Sequence, residues 1–183
     1  RGSSTTLSAM GAMGGAIAAG DGASVQLNNN EQLSFRSNEA FSGSESASSS
    51  TVYGGAIYLG KNAVMDLNSN GTLDITGNAA ISQAPKSSSY CSVYGGAIYG
   101  REGSVISLND NATLNIQNNI AYSEYGSAYG GAISGSTVNI TGNTNVTISG
   151  NQADGAKGAS WGGAIHAQNV SISGNSSVLI ENN

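Results

Sequence analysis

The tetrapeptide Gly-Gly-Ala-Ile occurs five times, beginning at Gly14, Gly54, Gly95, Gly130 and Gly162, at intervals of 40, 41, 35 and 32 residues. Five copies in 183 residues make this a repeat protein, whose units bury their apolar faces only against neighbouring units. The residue before each copy is Met13, Tyr53, Tyr94, Tyr129 or Trp161. A second mark, apolar-x-x-Asn, follows every copy: Phe35 to Asn38, Ile75 to Asn78, Ile116 to Asn119, Ile148 to Asn151 and Ile180 to Asn183. From the first Gly to that Asn is 24 residues in three units and 21 in the last two. From the Asn to the next Gly-Gly is 16, 17, 11 and 11 residues. The first stretch therefore reads as a frame and the second as an insertion of variable length.

A period of eight runs inside the frame. Val170, Ile172 and Asn175 recur as Val178, Ile180 and Asn183, and Met65, Leu67 and Asn70 recur as Leu73, Ile75 and Asn78. The pattern apolar-x-apolar-x-x-Asn reads as a short strand with one buried face, followed by a turn. Asn tolerates the left-handed conformation that a sharp corner needs. With the Gly-Gly-Ala-Ile segment as a first strand, three strands of about eight residues make one turn. The predicted fold is all-β: a right-handed parallel β-helix of about five three-sided coils, with loops inserted after the third strand. The expected organisation is an N-terminal extension over 1–13 and a single β-helix domain over 14–183, as a fragment of a longer passenger. In this fold Gly14, Gly15, Gly54, Gly55, Gly95, Gly96, Gly130, Gly131, Gly162 and Gly163 give tight entries to strands. Phe35 and the Ile columns fill the interior. Asn38, Asn78, Asn119, Asn151 and Asn183 form a corner column, beside a second column of Asn30, Asn70, Asn111, Asn143 and Asn175.

Composition narrows function. Six Lys plus Arg and a net charge of −5 give no footprint for nucleic acid. No apolar run approaches the roughly 18 residues of a membrane helix, so this segment is not expected to insert in a membrane. The single cysteine, Cys91, cannot make an internal disulfide or a zinc site, although it can serve as a reactive thiol or bridge to another chain. Of the 183 residues, 78 are Gly, Ser or Asn, so the apolar columns must carry the core.

No constellation suited to catalysis emerges. Strand alternation turns Asp66 and Asp74 outward, but their equivalents are Gln26 and Ser34 in one neighbouring unit and Ser107 and Asn115 in the other. No carboxylate cluster builds across coils, and no basic residue is fixed beside them. His166 shares its slot with Ala18, Tyr58, Tyr99 and Ser134 and reads as a solvated side chain. The chain is expected not to be an enzyme and to need no cofactor or metal. A carbohydrate-active β-helix enzyme and a purely structural, self-associating stalk are the alternative readings. The column Tyr53, Tyr94, Tyr129 and Trp161 is expected to stack on itself, with a carbohydrate platform as its functional alternative. Recognition on a rigid frame belongs to displayed loops, here about 39–52, 79–93, 120–128 and 152–160. Tyr90, Tyr122, Tyr125 and Lys86 are the candidate partner-binding residues among them. Open strand edges at the ends of a solenoid invite head-to-tail self-association.

Gly-Gly-Ala-Ile alternating with Phe-x-x-Asn resembles the hallmark pair of the chlamydial polymorphic membrane proteins, over 14–183. The first half matches in all five units. The second keeps its Phe only in Phe35-Arg36-Ser37-Asn38, with Ile in the other four. The resemblance implies an autotransporter passenger on the bacterial surface, held at an outer-membrane barrel or secreted after cleavage. It implies adhesion to host cells, with a host receptor or glycan as partner and a role in virulence.

Overall fold

The apolar residue in each eight-residue unit pairs with its counterpart one unit away, and this register builds the molecule. A computed structural model describes residues 2–3, 11–43, 50–83 and 91–183. All regular structure among them is β, and every strand pair is parallel. Ile17, Ile57, Ile98, Ile133 and Ile165 lie in register through five coils. Phe35, Ile75, Ile116, Ile148 and Ile180 do the same on another face. Phe35 thus occupies the inward slot that Ile fills elsewhere, and it is buried. Both are large apolar side chains, so either fills the interior column. The predicted parallel β-helix is the observed fold.

The second coil shows how the sides are made. Its strands are Ile57–Leu59, Val64–Asp66, Thr72–Thr76, Ala79–Ser82 and Val93–Tyr94. The first two belong to one sheet, so the Gly-Gly-Ala-Ile strand and the first eight-residue strand share a side. In the fourth and fifth coils they fuse into the single strands Ile133–Thr141 and Ile165–Ser173. The register jumps from Ile98 against Ile133 to Val105 against Thr137, seven residues facing four. A three-residue bulge in the first three coils therefore accounts for the 24-against-21 spacing. The strand ending before Asn78 makes the second side.

The remaining side comes from the stretch read as insertion. Glu39–Ser42, Ala79–Ser82, Ile120–Ser123 and Gln152–Gly155 stack in one parallel sheet, and Val52–Tyr53, Val93–Tyr94, Ala128–Tyr129 and Ser160–Trp161 in another. These strand pairs enclose a small core of their own, in which Ala40, Ala80, Ala121, Val52, Val93 and Ala128 are all fully buried. The insertion is thus a narrow limb filled by Ala and Val. The segment before Gly14, expected as an extension, already takes part. Gly2–Ser3 pairs with the strand at Ala40, Ala12 is buried in the limb core and Met13 bridges Tyr53.

The paired glycines close each coil. The first has a positive φ throughout, from +53° at Gly14 to +66° at Gly95 and Gly130. The second is constrained by contact instead. A Cβ on Gly55 would lie 2.1 Å from the Gly96 carbonyl oxygen and 2.5 Å from that of Ala79, where the limb begins. The two lobes meet there backbone to backbone, which only Gly permits.

The corners differ from expectation in one respect. The left-handed residue is the one preceding each ladder Asn: Asn29, Ser37, Ser69, Gly77, Asp110, Asn118, Gly142, Gly150, Gly174 and Asn182. The Asn itself supplies its amide. Asn119 Oδ1 accepts from the Asn78 backbone N–H at 3.0 Å and from Asn78 Nδ2 at 2.9 Å. Its own Nδ2 donates to Ile75 O at 2.8 Å and to Asn151 Oδ1 at 2.9 Å. The pattern repeats at Asn111 and Asn143 in the other column. Both columns thus run from coil to coil as hydrogen-bonded ladders.

Candidate functional site

Two aromatic columns form where the limb rejoins the main lobe. Val52 and Val93 point into the limb core, so strand alternation sends Tyr53 and Tyr94 outward. Ile57 and Ile98 point into the main core, so Tyr58 and Tyr99 also face out, beside the first column. Tyr53, Tyr94, Tyr129 and Trp161 stack as expected. Tyr53 and Tyr94 are 5.5 Å apart at 16°, Tyr94 and Tyr129 4.7 Å at 6°, and Tyr129 and Trp161 6.5 Å at 3°. The second column packs against them. Tyr99 lies 4.8 Å from Tyr53 and 5.4 Å from Tyr94, and Tyr58 lies 6.0 Å from Tyr99. The signal for this second column was the residue after each Gly-Gly-Ala-Ile, which reads Ala18, Tyr58, Tyr99, Ser134 and His166.

Packing changes the chemistry of these rings. Burial, reinforced by neighbouring phenols, pushes the hydroxyls of Tyr53, Tyr94 and Tyr99 above the ordinary tyrosine value, that of Tyr99 furthest. They stay neutral hydrogen-bonding groups. Arg101 donates to the Tyr58 hydroxyl, which raises the guanidinium's already high affinity for its proton. His166 is half-buried rather than fully solvated, because the Tyr129 ring lies 5.2 Å away at 59°.

A groove of about 320 Å³ opens where the second column is interrupted. Two changes coincide there. Ser134 replaces the Tyr of the preceding coils, and the bulge carrying Arg101 and Glu102 meets a coil that runs straight through Gly135. Tyr99 and Tyr129 form aromatic walls, and His166 and Gln168 contribute from the following coil. Ser136 donates to Gln168 Oε1 at 3.1 Å, which holds that amide at the rim. Glu102 pairs with Lys61 at 3.4 Å on the open side.

The loop residues chosen from sequence fare differently. Lys86 and Tyr90 lie outside the described residues. Tyr122 sits in the strand Ile120–Ser123, between Ile81 and Asp154 in the sheet, and not in a loop. Tyr125 follows that strand, and Lys157 Nζ caps its ring at 3.8 Å. Cys91 is 3 % exposed, too buried to act as the reactive or bridging thiol that sequence left open.

Asp66 and Asp74 sit on different sides of the coil, in register with the predicted Gln26, Ser107, Ser34 and Asn115. Asp74 does have a basic partner, contrary to the repeat pattern: Arg36 from the first coil pairs with its Oδ2. Asn115 donates to its Oδ1 at 2.8 Å. Burial alone would raise this carboxyl, but Asn115, Arg36 and Ser34 together outweigh it and hold it below the usual range. Among the described residues no group of three or more His, Cys, Asp or Glu is placed to hold a metal.

A family model for the Chlamydia polymorphic membrane protein repeat matches residues 145–168. Residues 145–168 are thus similar to a polymorphic membrane protein repeat. The match runs from the strand Asn145–Ser149 of the fourth coil, through the limb, to the Gly-Gly-Ala-Ile strand of the fifth. It therefore includes one complete copy of each motif, Ile148 to Asn151 and Gly162 to Ile165, and the aromatic position Trp161. No curated protein and no solved structure matches the chain significantly.

Proposed function

We propose that this chain is a non-enzymatic stretch of surface-exposed polymorphic membrane protein passenger, acting in adhesion to host cells. The observation that carries the reading is the repeat match on a continuous parallel β-helix. A stacked column of this kind is rigid along its axis, because each coil pairs its backbone with the next. Its limb strands stack along one side of the column. Loops on a stiff frame lose little entropy on binding. On this reading the protein acts at the bacterial surface or after release from it, and its partner is a host receptor or glycan.

Adhesion of beads coated with the purified chain to epithelial cells tests this. The comparison variant carries short Gly-Ser links in place of residues 84–90 and 124–127. These bounds spare Ala79–Ser82 and Ile120–Ser123, whose removal would open the limb core. Binding by the native chain and loss in the trimmed variant is the expected result. Equal binding by both moves recognition to the coil faces. No binding by either overturns the adhesin reading and leaves a spacer.

A further inference from the structure

The groove at Ser134 is a gap in a series of rings, and its walls match one class of ligand. Tyr58 and Tyr99 occupy this slot in the second and third coils and His166 in the fifth, while the fourth holds the small side chain of Ser134, buried at the edge of the groove. The open space beside it is about 320 Å³. That is the low end of the ~300–1,000 Å³ typical of ligand pockets, enough for one small ring. We propose that this gap is a binding subsite for a single pyranose unit of a glycan, lodged between Tyr99 and His166 with Tyr129 behind it.

The rim favours a sugar over a planar aromatic side chain. Arg101, Ser134 and Gln168 border the space with donors and acceptors, beside the aromatic walls. An apolar ring would strip water from them and return nothing, whereas ring hydroxyls can replace that water. A pyranose offers C–H groups to the Tyr99 face and hydroxyls to the rim. This assignment stands on the groove and is independent of the adhesion reading, so glycoside binding by a chain whose beads do not adhere would leave it intact.

The test is saturation-transfer NMR on the purified chain with the methyl glycosides of glucose, galactose, mannose and N-acetylglucosamine. p-Cresol serves as the planar aromatic probe. The expected result is transfer to the ring protons of at least one glycoside, weakened about tenfold or more by Ser134→Tyr. Ser134 is 3 % exposed, so a Tyr ring there must displace its neighbours, and circular dichroism and the melting temperature show whether the variant folds. Gln168→Ala and Arg101→Ala, both on the rim, are expected to weaken the same glycoside several-fold, and they decide the matter should Ser134→Tyr fail to fold. Silence from all four glycosides overturns the proposal. So does undiminished binding in a folded Ser134→Tyr variant, or in both rim variants. Binding of p-cresol alone also overturns it and marks the slot as a receptor for an aromatic side chain.

Discussion

The ladder asparagines do at residue scale what a helix cap does elsewhere: they satisfy backbone groups that a corner leaves without strand partners. Asn119 is fully buried and makes four hydrogen bonds through its amide. Asn119→Ala would leave the Asn78 N–H and Nδ2 short of an acceptor and Ile75 O short of a donor. At about 1–3 kcal/mol for each buried unsatisfied group, the loss should be on the order of 3 kcal/mol or more. Urea unfolding measures it, and a loss below about 1 kcal/mol would show that the ladder is ornamental. Ser104 offers the opposite case. Its hydroxyl is buried with no hydrogen-bond partner, at the position held by Ala63 one coil earlier. Ser104→Ala should therefore stabilise by about 1 kcal/mol, read as a higher urea midpoint at unchanged slope. A lower midpoint would mean the hydroxyl is satisfied in solution. The Asn spacing was plain in the sequence, but the division of labour was not. Position 37 holds Ser and position 110 Asp, both with positive φ, and nothing in those residue types marks a left-handed site as Gly would.

The Gly-Gly pair shows at element scale why one motif recurs while its surroundings drift. A Cβ on Gly96 would sit 1.9 Å from the Gly131 carbonyl oxygen and 2.5 Å from the Ile120 carbonyl carbon, both backbone. Neither neighbour can give way without moving a strand. Gly96→Ala is expected to part the limb from the main lobe in the middle of the column. The variant should lose cooperative melting and become cleavable by trypsin or chymotrypsin within the limb, and a melting curve like that of the native chain would sink the argument. The same motif explains what the sequence could reveal. Interior columns and strand polarity follow from a period that only one parallel register satisfies. Where a strand turns a corner is a different matter. A three-residue bulge and a three-residue corner look alike in spacing, so spacing alone does not show that the Gly-Gly-Ala-Ile strand shares a side with the strand after it. The limb escaped notice because its core is Ala and Val over strands of two to four residues, too short for alternation to show. Arg36 against Asp74 was likewise hidden, since the pair joins different slots of adjacent coils.

A solenoid's stability is a chain of nearest-neighbour contacts at the scale of the whole molecule, so groups that link successive coils set its response to solvent. Charge contributes little of this, with 6 basic and 11 acidic residues in 183. The tyrosine columns contribute more, since they join the first, second and third coils. Their phenols are held above the ordinary value of 10, at Tyr53 and Tyr99 by burial first and neighbouring rings second. In the unfolded chain the same groups ionise near 10. Their contribution is thus complete below pH 10 and is lost as pH climbs from there towards the folded values, because the unfolded state releases its protons first. On the acid side the sign reverses. Asp74 is held below the usual carboxyl range, so its contribution is present above that range and disappears as pH falls through the folded value. Among the described residues one carboxyl is shifted down, whereas three phenols are shifted up in successive coils. The column should therefore fail more steeply in alkali than in acid. Above pH 10, tyrosinate absorbance should rise in a cooperative step together with loss of the β-sheet circular dichroism signal. Tyr99→Phe, which keeps the ring and removes the titrating group, should move that step to higher pH. Smooth ionisation of all eight tyrosines near pH 10, with the dichroism unchanged, would mean that the columns do not couple the coils.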